Sequence, residues 1–272
     1  MTLLLRGENA LNKGGIRVPE SARLALEGEG NLNVTLDHPE YFGIGNDNSS
    51  RHGELDFDQS GTVTVTANGT AGTGIGSGLG GNITIHQGRY FINLSGDTGT
   101  GIGALYADTK LEIVNCDFNT DITLAKGVAI GSMSNNADVR IHGSSAKLYM
   151  GGAALTAIGT MTGSEAKVTV SSAIVNIDIR APRCTCAGAL EAEDARSDIR
   201  IEGANFRASV GGWESLPFGG YSGNTSVSLV NADTTVKMET DVDINKYISS
   251  EKIEVTNGRT IFTNKEDEID LS

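Results

Sequence analysis

GIGALYADTKLEIVNCDFNTDITLAKGVAIG, residues 101–131, opens on Gly101-Ile102-Gly103 and closes on Ala129-Ile130-Gly131. The same triplet stands at Gly43-Ile44-Gly45, Gly74-Ile75-Gly76 and Ala157-Ile158-Gly159, so successive isoleucines are 31, 27, 28 and 28 residues apart. Gly14-Gly15-Ile16 begins the series, and Ala187-Gly188-Ala189 and Phe218-Gly219-Gly220 continue it in weaker form. Self-similarity at a fixed period of this length is the signature of a solenoid, in which each repeat is one coil that buries its apolar side against the next.

Working outward from the triplet, an alternating apolar pair follows each one: Leu55/Phe57, Ile83/Ile85, Leu111/Ile113, Val139/Ile141, Val168/Val170, Ile199/Ile201 and Val227/Leu229. Alternation puts each pair on one side of a strand, and a constant repeat length puts each pair over the last. A second inward set follows: Val63/Val65, Ile92/Leu94, Ile122/Leu124, Leu148/Met150, Val175/Ile177/Ile179, Phe206/Ala208/Val210 and Val236/Met238. The triplet supplies a third side. Between the first two sides sit Gln87-Gly88, Asn115-Cys116, Gly143-Ser144, Gly203-Ala204, Asn231-Ala232 and Asn257-Gly258, suited to bends of positive φ. The pattern predicts a right-handed, single-stranded parallel β-helix, a three-sided solenoid of about nine coils of roughly 28 residues over residues 1–262, with an acidic tail at 263–272.

The outward positions agree with this register. One column reads Lys110, Asp138, Lys167, Asp198, alternating in sign, and a second reads Asp56, Thr84, Glu112, Arg140, Thr169, Arg200, placing Glu112 beside Arg140. All four prolines, Pro19, Pro39, Pro182 and Pro217, are expected between strands.

Gly15-Ile-Arg-Val-Pro-Glu-Ser-Ala-Arg-Leu-Ala-Leu-Glu-Gly-Glu-Gly-Asn-Leu-Asn-Val-Thr35, followed by Gly-Ile-Gly, resembles the Gly-Ile-Gly repeat domains of bacterial surface proteins. These are often labelled carbohydrate-binding and belong to the pectate-lyase-like β-helix class. The resemblance implies the β-helix and an extracellular or cell-surface setting as part of a longer chain; it carries over no ligand.

A net charge of −13 with no Lys/Arg cluster opposes nucleic-acid binding. No apolar run is long enough for membrane insertion, and no signal peptide is visible; the abrupt Leu3-Leu4-Leu5 start reads as a piece cut from a longer protein. Three cysteines, Cys116, Cys184 and Cys186, form no disulfide framework.

The expected function is a non-catalytic binding or adhesion module for polysaccharide or another extracellular polymer. The rival readings are a calcium-dependent polysaccharide lyase and a ligand-sensing or spacer module of a regulator. A lyase needs converging carboxylates and a Lys or Arg base, and the nearest arrangement is Asp178, Arg180, Arg200 and Arg207, with Asp178 and Arg207 expected as neighbours on adjacent coils. No cofactor is expected; calcium is possible at Asn46-Asp47-Asn48 with Glu54, Asp56 and Asp58. His86 and His142 share a column but lie too far apart to share a metal, and the GxGxxG of Gly76, Gly78 and Gly81 precedes a strand, which makes it a corner rather than a phosphate cradle. Sugar binding needs an aromatic surface beside hydrogen-bonding groups, which nominates Tyr149 with Asp178 and Arg207, and the loop aromatics Trp213 and Tyr221. The same loop aromatics are equally suited to covering the edge of the core.

Overall fold

The computed structural model describes residues 1–192, 194–220, 224–239, 243–244, 247–248, 252–265 and 267–271. They form a three-sided parallel β-helix. Coils one and two each spread three strands over the three faces: β1 (Thr2–Leu5), β2 (Glu8–Asn12) and β3 (Ile16–Arg17), then β4 (Arg23–Gly28), β5 (Asn31–Asp37) and β6 (Glu40–Gly45). Coils three and four are so continuously bonded that each is one bent strand, β7 (Glu54–Ser77) and β8 (Asn82–Ala104). Coils five to eight follow as β9 (Thr109–Val114), β10 (Cys116–Ser132), β11 (Ala137–His142), β12 (Ser145–Thr160), β13 (Glu165–Ser171), β14 (Ile174–Arg180), β15 (Arg183–Ala189), β16 (Arg196–Glu202), β17 (Asn205–Gly211) and β18 (Glu214–Phe218). The first two faces continue through β19 (Thr225–Val230), β20 (Asp233–Glu239), β21 (Lys252–Thr256) and β22 (Arg259–Thr263).

The motif isoleucines stack in one column, Ile16, Ile44, Ile75, Ile102, Ile130 and Ile158, which continues as Ala187 and Phe218. The frame of the last two triplets is therefore Cys186-Ala187-Gly188 and Pro217-Phe218-Gly219, one residue earlier than the sequence suggests. The closing glycine has the firmest physical reason. At Gly131 φ is 141°, and a Cβ there would lie 1.8 Å from the carbonyl oxygen of Gly159 in the next coil. No side chain fits, whereas the opening position of the triplet accepts Ala129, Ala157, Cys186 and Pro217.

The expected first-face pairs all stack in register, and the columns extend to Leu24/Leu26 before them and to Ile253/Val255 after them. At the start, Leu3 lies beside Leu26 and Leu5 beside Gly28, so the first rung is set over by two residues. The expected inward residues of the second face are all buried, but the frame is two residues off at three successive junctions: Val63 stacks on Tyr90 rather than Ile92, Ile92 on Thr120 rather than Ile122, and Ile122 on Met150 rather than Leu148. Tyr90 and Phe118 thereby enter the core, where Phe57, Tyr90 and Phe118 form a run of rings with centroids 6.4 and 6.5 Å apart. Near the other end Phe218 fills the column above Ala187, with Phe206 at 5.7 Å and Phe262 at 6.4 Å. Each fully buried aliphatic of this core contributes about 1.5–3 kcal/mol of transfer free energy.

Pro217 lies inside β18, contrary to expectation, and costs no ladder bond. Its position, equivalent to Gly74, Gly101, Ala129, Ala157 and Cys186, is skipped by the backbone pairing in each of these coils. A residue without an amide donor is tolerated where the ladder has no donor to lose.

A satellite core lies outside the tube. The turns after the third face fold back so that Leu105, Met133, Met161 and Leu190, one per coil, cover Val128 and Ala154. The segment Ala189–Ala195, helical in composition, forms no helix among its described residues. The acidic tail returns as β23 (Glu268–Asp270), antiparallel to β22, with Ile269 and Leu271 packed on the core. It blunts the end of the sheet with a chain reversal.

Candidate functional site

The outer side of the second face is the candidate site. Because inward and outward positions alternate along every strand, burying the columns of Val65/Ile92 and Ala67/Leu94 forces their neighbours out. Two outward columns run along the solenoid: Thr64, Phe91, Asn119, Lys147, Asn176 and Arg207, and beside it Thr66, Asn93, Asp121, Tyr149, Asp178 and Ser209. The upper half of this surface is nearly uncharged and rich in amide and hydroxyl groups. Loose hydrogen bonds join Asn93 Nδ2 to Thr66 Oγ1 at 3.4 Å and Ser95 Oγ to Asn68 Oδ1 at 3.3 Å, leaving most of their donors and acceptors facing outward.

Tyr149 stands on this surface, 52% exposed, opposite Asp178 of the next coil. Phe91, 38% exposed, is two coils back and one column over, so the two rings flank Asn119 and Asp121. The sequence reading missed Phe91, although it carries a signal. Tyr90 and Phe91 are consecutive on a strand and must point to opposite sides, so one of them faces solvent.

Arg207 is not brought to Asp178. Its registered neighbours are Asn176 and Thr235, while Asp178 faces Ser209. The expected placement was two residues off, a slip that leaves every side chain on its proper side. Asp178 instead holds Arg180 Nε at 2.9 Å on its own strand. Arg180 passes over Gly211 to reach Glu239 Oε2 at 2.6 Å, and also donates to Ser209 Oγ at 3.0 Å. The hydrogen bond from Lys237, followed by the charge of Arg180, lowers the Glu239 carboxyl below its ordinary range. Arg200 sits on the first face, paired with Glu202 at 2.9 Å. Of the four residues considered for a lyase, Asp178 and Arg180 pair with each other, Arg207 and Arg200 stand apart from them, and Arg180 is occupied by carboxylates.

Trp213 occupies the turn before β18 and is 71% exposed, so it does not cover the core edge; Phe218 and Tyr247 do that from inside. Tyr221 lies outside the described residues. Beside the second face, the corner of the bends forms a polar groove of about 530 Å³ bordered by Arg89, Asn115, Asp117, Ser145 and Ile174.

The acidic residues considered for calcium diverge. Asn46 and Asp47 take Arg17 at 2.9 and 2.8 Å, Asp56 takes Arg23 and His86, and Asp58 accepts from Gln87 at 2.7 Å. Among the described residues no three His, Cys, Asp or Glu side chains gather as metal ligands. His142 lies opposite Val114 and is bonded to Ser171 Oγ at 2.9 Å, whereas His86 turns to Asp56 Oδ1 at 2.9 Å. No helix among the described residues is long and apolar enough to cross a membrane.

No family model matches the chain, and comparison with curated proteins and with solved structures gave no match.

Proposed function

We propose that the chain is a non-catalytic binding module of a cell-surface or secreted protein, and that it holds a linear polysaccharide along the outer side of its second face. One observation carries this reading: Phe91 and Tyr149 stand exposed on a rigid face of amide and hydroxyl side chains. A ring offers the apolar surface that a pyranose stacks on, and amides and hydroxyls satisfy its hydroxyl groups. Parallel ladders hold these groups in place before any ligand arrives, which lowers the ordering cost of binding. The resemblance of the repeat to Gly-Ile-Gly domains of bacterial surface proteins supports the same setting.

The test is retention on immobilised neutral and acidic polysaccharides, comparing the unaltered chain with Phe91→Ala, Tyr149→Ala and Trp213→Ala. The expected result is binding by the unaltered chain, a loss of roughly 5–30-fold for each second-face ring, as for a contact of about 1–2 kcal/mol, and little change at Trp213. Retention that is indifferent to Phe91 and Tyr149, or no retention on any polymer, overturns it.

A further inference from the structure

The outward column at the leading edge of the first face reads, coil by coil, Arg23, Glu54, Asn82, Lys110, Asp138, Lys167, Asp198, Ser226 and Lys252. Arg23 pairs with Glu54 in its own chain, and from Glu54 onward the column read backwards is the complement of itself. About a midpoint between Asp138 and Lys167, Asp138 is matched with Lys167, Lys110 with Asp198, Asn82 with Ser226, and Glu54 with Lys252.

A second feature agrees. Neighbouring charges in the column stand in adjacent coils, yet among the described residues Lys110, Lys167 and Asp198 form no ion pair within the chain, and Asp138 takes only Arg140 of its own strand at 3.5 Å. The expected pairing of Glu112 with Arg140 across coils is likewise absent: they are in register, but Arg140 turns to Asp138. These charges are ordered along the axis and left unspent.

We infer that the first face docks a second copy of this chain, antiparallel, about a twofold axis that runs along the strands between the coils of Asp138 and Lys167. Such an axis reverses coil order and keeps each column facing itself. The adjoining column then sets Glu112 against Arg200, Arg140 against Thr169 and Thr84 against Ser228. Its single like pair is Asp56 against Glu254 at the margin, where Asp56 and Glu54 already hold Arg23, and Glu254 holds Lys252, within one chain; the attraction comes from the four central charges of the leading column. The two adjacent registers fail. Sliding one copy by one coil sets Lys110 on Lys167 and Asp138 on itself, or Asp138 on Asp198 and Lys167 on itself, and like charges so placed are strongly disfavoured.

The size is adequate. Eight coils at ~4.8 Å and strands of about six residues at ~3.3 Å give roughly 750 Å² per copy, or about 1,500 Å² in all, a standard interface. A shallow groove of about 460 Å³ alongside Lys110, Asp138 and Lys167 leaves room for the long cationic side chains of the facing copy. This dimer leaves both second faces open and does not rest on the polysaccharide reading.

The experiment is light scattering on the full chain over a dilution series, with the variants Lys110→Asp and Lys110→Asp combined with Asp198→Lys. At low ionic strength the expected mass is twice the 28.4 kDa of the chain, falling to one chain at ~1 M salt, where charges are screened beyond ~3 Å. Lys110→Asp is expected to be monomeric, and the double exchange, which restores opposite charges, dimeric again. In the unaltered dimer a carbodiimide should join Lys110 to Asp198, which within one chain are three coils, roughly 14 Å, apart. A monomer throughout the series at low salt, a Lys110→Asp dimer as tight as the unaltered one, or a dimer without the Lys110–Asp198 link overturns the proposal.

Discussion

Ser172 repeats, two coils further on, the left-handed backbone of Asn115: φ is 49° at one and 51° at the other. Both occupy the bend between the first and second faces, where Gly143, Gly203, Asn231 and Asn257 have the same conformation. Each of the first five bend amides donates to the carbonyl of the residue before the next bend, as Ser172 N does to Glu202 O at 2.9 Å. Asn tolerates this region better than Ser, and Gly enters it without a steric cost. Ser172→Gly should therefore stabilise the protein by a few tenths to about 1 kcal/mol, after the extra freedom of glycine in the unfolded chain is subtracted. Gly143→Ala should cost about 1–2 kcal/mol, since its Cβ would also lie 2.4 Å from Asn115 Oδ1. Denaturant midpoints of the two variants, moving in opposite directions, check the assignment.

His52 is buried beside Gly81, and its Nδ1 lies 2.6 Å from the carbonyl oxygen of Gly53. A carbonyl only accepts, so Nδ1 carries the proton; Nε2 is buried without a partner, which suits the neutral ring. Burial lowers its pKa from 6.5 to about 4. The unfolded chain thus takes up a proton at higher pH than the folded one. The contribution of His52 to stability is whole above pH 6.5, declines as the pH falls toward about 4, and is then lost by on the order of 3 kcal/mol. Replacing it with Gln should flatten that part of the stability profile. Equal slopes between pH 4 and 6.5 in unfolding curves of the two proteins would show that His52 does not set it.

The three thiols are buried structural groups. Cys116 sits at a bend with its thiol 2.9 Å from the carbonyl of Val114, and burial raises its pKa to about 12. Burial also raises Cys184, whose Sγ is 3.1 Å from Ser215 Oγ, and raises Cys186 far more. The thiolate is the reactive form, so at pH 8 the native protein should resist an aromatic disulfide reagent, and all three thiols should react once denaturant is added. Rapid labelling of the native protein would contradict the burial of these side chains.

Most of the frame was legible because the repeat length is nearly constant. The isoleucine column, the first-face pairs and the bend residues each recur at one offset, and a slip of one residue would turn apolar side chains outward. The second face was less so. Its strands carry three or four inward positions in a row, so a shift of two residues keeps the same sides, and sequence alone matched Val63 with Ile92 and Asp178 with Arg207. Pro217 was read as a loop residue because the gap in the ladder before each motif isoleucine leaves no mark in composition. The apolar residues Leu105, Met133, Met161 and Leu190 also recur about once per coil, but they lie in turns, where alternation gives no guide to direction.

The alternation that sends Tyr90 inward and Phe91 outward separates two kinds of selection. Substitutions at outward positions alter what the surface touches while leaving the stacked interior as it was, coil after coil. A tube built this way is a fixed scaffold carrying text that can be rewritten one letter at a time, so new specificities are reachable by mutation without passing through unfolded intermediates.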